Sequence, residues 1–301
     1  MAKITGVPAF FAGRRLPSRQ VALDTARRQF LRLPAPTRAR LLAVAGRRSP
    51  WDPRFDHQAV PEVPGMMVGP PDFVGIGVQK AGTTWWHSLL ARHPEVYSHP
   101  GVHKERHFFS AYSNREFTDA DISAYHRWFP RPAGKVAGEW TPDYIYQDWV
   151  PQMLHRAAPD AKLLVILRDP VERYRSGCAH QLEYTGRFTA ADATDAYRRG
   201  FYAEDLERYE SLFGAEAILV LQYEQCRDDP AGQLARTLRF LGLDDTWHPD
   251  NLTSAVNRTE RNELVVAESR KLELRGYYRS DRMLLAERYP QLDTEIWGGV
   301  P

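Results

Sequence analysis

Three times along this chain a short apolar run of strand length breaks at a turn and gives way to a helical stretch. Phe73-Val-Gly-Ile-Gly-Val78 leads through a tight loop, Gln79 to Gly82, into a helix expected over Thr83 to His93, which Pro94 ends. Leu163-Leu-Val-Ile-Leu167 leads through Arg168-Asp-Pro170 into a helix running from Val171 to Gln181, and Pro170 suits its first turn, where a missing N–H is no loss. Ile218-Leu-Val-Leu-Gln-Tyr223 leads through Asp229-Pro230 into a helix over Ala231 to Leu241. Uninterrupted apolar strands need cover on both faces, and strands joined through helices run parallel. The expected fold class is therefore α/β, with a central, mainly parallel sheet flanked by helices.

A Pro-rich stretch from Pro50 to Pro71 cannot form a regular helix and separates the N-terminus from this body. The expected organisation is a basic, helical arm over 1–60, a Pro-rich linker over 61–71 and one domain over 72–301. Charge follows the same division. Residues 1–60 carry 12 Lys and Arg against 3 Asp and Glu, the rest 28 against 35, so a formal +2 hides +9 on the arm and −7 on the body. Two short amphipathic helices, Gln20 to Leu33 and Thr37 to Val44, packed on the body with a solvated arginine face, are the favoured reading of the arm. Contact with an anionic membrane or partner surface comes second. Nucleic-acid binding comes last, because no recognisable binding module accompanies the charge.

Cys178 and Cys226 cannot build a disulfide framework, and neither lies in a CxxC or Cys/His cluster. A reducing compartment and no structural metal are expected. No apolar run approaches the roughly 20 residues that span a bilayer. Val7-Pro-Ala-Phe-Phe-Ala12 is too short for the core of a signal peptide. The expected location is the cytoplasm, and oligomeric state is not set by any of these features.

The chemistry concentrates first at Gly75-Ile-Gly-Val-Gln-Lys80-Ala81-Gly82-Thr83-Thr84-Trp85, where a buried strand turns into a helix. Backbone N–H groups and the positive helix end meet there, glycine lets an anion approach, and the two threonines add hydroxyl donors: a phosphate site. It is not Walker A, since the lysine precedes the glycine, and it is not a dinucleotide fingerprint, since Lys80 stands where the third glycine belongs. The chain holds 6 lysines against 34 arginines, so a lysine in this loop is unlike an interchangeable surface cation, and a compact ammonium can follow charge onto a single leaving oxygen.

Strand, K-x-G-T-T and helix together resemble the 5′-phosphosulfate loop of the sulfotransferase family. Arg168-Asp-Pro170-Val-Glu-Arg173-Tyr-Arg-Ser176 is similar to that family's 3′-phosphate motif, and Lys104-Glu105-Arg106-His107-Phe108-Phe109 resembles the K/N-E-x-x-F-F segment of its carbohydrate-type branch. The resemblance covers about residues 72 to 290. It implies a P-loop-like three-layer fold and 3′-phosphoadenosine-5′-phosphosulfate as donor, with adenosine 3′,5′-bisphosphate as product and no metal. Lys80, Ala81, Gly82, Thr83, Thr84 and Trp85 would hold the donor's 5′ end, and Arg168 and Ser176 its 3′-phosphate. Val256-Asn-Arg258-Thr-Glu-Arg261 stands where relatives carry a basic loop over that phosphate, but lacks its glycine, so Arg258 and Arg261 are the weaker assignments.

Glu105 is the expected general base, its pKa raised beside Phe108 and Phe109, with His107 and His103 as competitors. Glu139-Trp140-Thr-Pro-Asp-Tyr144 resembles the family's E-K-[ST]-P-x-Y, with tryptophan in place of lysine. Lys104 then either supplies the missing cation, or Trp140 stacks on an acceptor; Phe108 and Tyr144 complete the expected acceptor wall, although a core tryptophan reads as well. His180 is read as a satisfied helix residue. The expected activity is sulfuryl transfer to a hydroxyl or amine of a carbohydrate, glycolipid or natural-product acceptor. Its alternatives are an atypical nucleotide-dependent kinase and a non-catalytic nucleotide or anionic-glycan binding module.

Overall fold

Side chains that point to both faces of a sheet explain why the three apolar runs become strands. In the computed structural model, which describes residues 37, 62–99, 104–185, 187–253 and 266–298, all of β1 (Phe73–Gly77) is buried. The chain divides into two units, 1–47 and 48–301; the described body belongs to the second. The arm's expected helices lie outside the described residues, Thr37 excepted.

Helix α1 (Thr83–Leu90) follows β1, then α2 (Asp119–His126), β2 (Gly138–Trp140), α3 (Val150–Ala157) and β3 (Lys162–Leu167). Helices α4 (Pro170–Thr185), α5 (Ala190–Arg198) and α6 (Ala203–Phe213) lead to β4 (Ile218–Gln222). After it come α7 (Tyr223–Asp228), α8 (Pro230–Leu241), α9 (Glu268–Tyr277) and α10 (Arg279–Arg288). The sheet order is β2-β1-β3-β4, parallel throughout, with Phe73 opposite both Gly138 and Lys162 and Leu163 opposite Ile218. The expected α/β class is borne out. All strand C-termini leave one edge of the sheet, where ligands of open parallel sheets bind.

Strand β2 was not expected. It is three residues long, too short for periodicity. Its start must be glycine, since a Cβ on Gly138 would lie 2.4 Å from the Phe73 carbonyl oxygen. The outer edge of β2 is covered by the segment that follows α1: Tyr97 N–H donates to Val136 O, and Trp140 N–H to Lys104 O. Such cover removes an exposed row of strand hydrogen-bonding groups. Helix α1 stops at Leu90 rather than His93, because Arg92 and His93 N–H turn back to Leu89 and Leu90 and the His93 ring accepts from Glu95 N–H. Tyr223 opens α7 instead of extending β4.

Behind the sheet edge Phe108, Phe109, Tyr112, Phe117, Tyr125 and Phe129 form a buried ring cluster, with Phe109 and Tyr125 centroids 4.7 Å apart. Trp140 lies flat on β1, its indole N–H donating to Gly77 O at 3.1 Å. A Cβ on Gly75 would come within 2.0 Å of that ring. Gly75→Ala is therefore expected to lower stability by about 1–3 kcal/mol, as overpacking does. Combining it with Trp140→Leu should recover part of the loss in denaturant unfolding, and an unchanged midpoint for Gly75→Ala alone would show that the tryptophan is free to move. No helix among the described residues is long and apolar enough to cross a membrane.

Candidate active site

The loop between β1 and α1 is shaped by two left-handed residues, Lys80 at φ 71° and Gly82 at φ 79°. Gly82 stands at the N-cap of α1, no side chain caps the helix, and its first turn holds no acid, so its positive end is left for a ligand. A Cβ on Gly82 would lie 3.0 Å from the Tyr223 ring, which closes one side of the loop. From the end of β3, Arg168 reaches the same loop: Nη1 donates to Lys80 O at 2.9 Å, the guanidinium lies 4.8 Å over the Tyr223 ring, and Nε is buried without a hydrogen-bond partner. Tyr202 holds Arg168 in turn, its hydroxyl donating to Arg168 O. An uncapped helix end, a lysine and an arginine with an unused buried donor fit a ligand that carries phosphate groups.

A second set of residues meets this loop from the segment that lies along the edge strand β2. Lys104 Nζ lies 3.3 Å from both Thr83 Oγ1 and Thr84 Oγ1 and 2.9 Å from Glu105 Oε1. Glu105 Oε2 lies 3.5 Å from His107 Nε2. The result is a chain of contacts from the anion loop through a cation to a carboxylate and an imidazole. Glu105 remains 40% exposed, open to an incoming group. Burial pushes its pKa up, but the hydrogen bond from His107 and the charge of Lys104 outweigh it and hold Glu105 at about 2. The expectation of a raised pKa is corrected: Phe108 and Phe109 turn inward, and Glu105 faces cations. His107, pushed down by burial, is raised on balance by its hydrogen bond to Glu105.

Three consecutive backbone N–H groups fix this segment. Arg106 N–H donates to Glu139 Oε2 and Thr141 Oγ1, His107 N–H to Thr141 Oγ1, and Phe108 N–H to the Tyr144 hydroxyl at 2.8 Å. Glu139, fully buried, also accepts from Thr141 at 2.6 Å, Tyr125 at 2.8 Å and Tyr144 at 3.3 Å. Burial raises its pKa, and the hydrogen bond from Thr141 and the nearby Arg106 oppose the rise. With His107 at φ 49°, the backbone turns sharply enough to bring its ring back onto Glu105.

Lys80, Gly82, Thr83, Thr84, Arg168, Lys104, Glu105 and His107 thus gather at the C-terminal edge of the sheet. Phe108, Trp140 and Tyr144, expected as an acceptor wall, are each buried. Ala81 is buried in the loop. Trp85 ties α1 to a later segment through its indole N–H, 2.7 Å from Leu252 O. Ser176 is half-buried on α4. Arg258, Arg261 and His103 lie outside the described residues. Among those residues no group of three or more His, Cys, Asp or Glu could hold a metal.

Sequence reasoning missed Glu139 as the hub of this scaffold and gave no signal that His180 lies within the electrostatic reach of Lys80. Burial and the charge of Lys80 push His180 down to about 4, which places it within reach of the anion loop's field.

Residues 70–275 match the family described as "Sulfotransferase domain". Heparan sulfate glucosamine 3-O-sulfotransferase 6 of Mus musculus is 31% identical over 187 residues, 58% of this chain and 52% of the relative. The bifunctional heparan sulfate N-deacetylase/N-sulfotransferase 4 of Mus musculus is 28% identical over 198 residues, 58% of this chain and 22% of the relative. The chain therefore spans about half the length or less of these curated relatives. A sulfotransferase from Alicyclobacillus acidocaldarius shares the fold with a TM-score of 0.57 at 23% identity, covering 76% of this chain and 99% of that one.

Proposed function

The chain belongs to the sulfotransferase domain family, and from that premise we propose that residues 72–301 transfer a sulfuryl group from 3′-phosphoadenosine-5′-phosphosulfate to a hydroxyl or amine of a carbohydrate, glycolipid or natural product. One observation carries the reading: Lys104 joins the hydroxyls of Thr83 and Thr84 to Glu105, so a cation and a carboxylate stand together at an anion loop. The matched relatives named for heparan sulfate support a carbohydrate acceptor.

When bound, the donor supplies a sulfuryl group already activated by its bond to a phosphate. Lys80 and the α1 N-terminus neutralise charge on the leaving phosphate, and Arg168 with Ser176 holds the 3′-phosphate. Glu105 takes the proton of the acceptor as its oxygen or nitrogen bonds to sulfur, while the bridging oxygen departs with the bisphosphate. His107 orients Glu105. Trp140 leaves no cation at the end of β2, and Lys104, anchored on the threonine hydroxyls, supplies that charge from the neighbouring segment.

Adenosine 3′,5′-bisphosphate is expected to raise the thermal unfolding temperature without magnesium, and magnesium-ATP to raise it less. Arg168→Ala should weaken bisphosphate binding by about 1.5–3 kcal/mol, the worth of a charge-assisted contact, and leave adenosine 5′-phosphosulfate binding nearly unchanged. Stabilisation by magnesium-ATP that equals or exceeds that by the bisphosphate would favour a kinase. An equal loss for both ligands would make Arg168 a support of the loop rather than a 3′-phosphate contact.

A further inference from the structure

A cavity of about 30 Å³ lies beside Lys104, sharing that lysine with the site described above. It has room for roughly two waters or one small anionic group. His87, His99, Lys104, Arg106, Trp128 and Phe129 wall it. His87 follows Thr83 and Thr84 by one turn of α1, so the cavity begins about 5.4 Å along the helix from the anion loop.

Arg106 is built into this cavity in an unusual way. Its guanidinium carbon lies 5.2 Å from the Trp128 ring centroid and 5.5 Å from that of Phe129. Its backbone N–H is taken by Glu139 and Thr141, yet its side-chain Nε and Nη1 are buried with no hydrogen-bond partner, and so is Nδ1 of His99. The carboxylates nearby are committed elsewhere: Glu139 to Thr141, Tyr125 and Tyr144, and Glu105 to Lys104 and His107. Burial, then the charges of Lys104 and Arg106, push His87 down to about 3, so it adds no charge of its own. Two orphaned guanidinium donors on a half-buried arginine are costly to leave unmet. A guanidinium is planar and offers its donors in one plane beside these rings, which suits a carboxylate better than a spherical ion.

We propose that this cavity is a carboxylate subsite, in which the Arg106 guanidinium, beside Trp128, and the Lys104 ammonium meet the anion one helical turn from the transfer site. The assignment of that carboxylate to an acceptor rests on the sulfotransferase reading; the subsite itself rests on the cavity and its donors. A free small carboxylate has the same chemistry, and the test separates the two sources.

Thermal unfolding of the full chain is followed in sodium formate, in sodium chloride of equal ionic strength, and in formamide, the neutral analogue. Formate should raise the unfolding temperature by roughly 2–4 °C over chloride, and formamide should not. Arg106→Gln removes the charge and should abolish the shift. Trp128→Leu keeps the charge, removes the clamp and should at least halve it. Equal effects of formate and chloride in the wild type, or an undiminished formate shift in whichever variant folds, overturn the subsite. In turnover, formate that raises KM for an acidic glycan but not for its carboxyl-reduced form identifies the acceptor as the source, whereas no effect on either KM identifies a free anion. Adenosine 3′,5′-bisphosphate is added to the same samples. Should it fail to stabilise while formate succeeds, the sulfotransferase reading falls and the subsite stands; the converse result removes only the subsite.

Discussion

Glu105→Gln is expected to lower turnover by roughly 10²–10⁴ while bisphosphate affinity is retained, because the amide keeps the size of the side chain and cannot accept the acceptor's proton. His107→Asn should cost much less. The pH profile of the wild type carries a sharper expectation. Lys104 and His107 hold Glu105 ionised to about pH 2, so its own titration should leave no acid limb between pH 4 and 6. The limb should instead follow the release of His107, whose pKa is raised by the same pairing. While His107 is protonated it occupies a Glu105 oxygen, so turnover should climb as pH rises through that titration, with an apparent pKa belonging to the pair. His107→Asn should flatten the climb. If Glu105→Gln stays nearly fully active and His107→Asn is dead, the histidine is the base, and an aryl or other small-molecule acceptor becomes the better analogy.

Glu139→Leu should destabilise the fold more than any change at the anion loop. It strands the Tyr125 and Thr141 hydroxyls in a site from which water is excluded and removes one of the two acceptors of Arg106 N–H. Each buried group left unpaired costs about 1–3 kcal/mol, against a total stability of about 5–15 kcal/mol for an ordinary domain. Glu139→Gln, which preserves one accepting oxygen, should fall between. Because Glu139 acts through the backbone of 106–108 rather than on a ligand, any folded fraction of the variant should bind bisphosphate normally and turn over slowly, a fall in kcat rather than a rise in KM. A wild-type denaturation midpoint for Glu139→Leu would sink this account of the scaffold.

Strands β1, β3 and β4 and the loop after β1 are legible in the sequence because their signals are local: an apolar run, a turn residue, a helix start within fifteen positions. What decides the rest lies far along the chain. Trp140 reads equally well as a stacking surface or as core, and the answer is set by Gly75, whose missing Cβ gives the ring its seat. Phe108 and Phe109 suggest an apolar setting for Glu105, but the left-handed turn at His107 sends the two phenylalanines inward and the carboxylate outward toward Lys104. Glu139 resembles an ordinary charged residue until Tyr125, Thr141 and Tyr144 close around it. Arg106, between two residues with motif assignments, carries no signal of its own in the sequence; Trp128 and Phe129 give it one.

The segment that bears Glu105 lies along the outer edge of β2, the last strand of the sheet, while the anion loop and Arg168 spring from β1 and β3 inside it. On the segment's own side, Lys104's anchor apart, the attachment is made by backbone N–H and carbonyl groups, which any residue but proline can provide at the donating positions. Side chains along that strip are consequently open to wholesale exchange: a library confined to positions 97–99 and 104–106, sparing Lys104 and Glu105, alters the reception of new acceptors without touching a residue assigned to the donor. Directed evolution of acceptor range in this scaffold has a natural address at its margin.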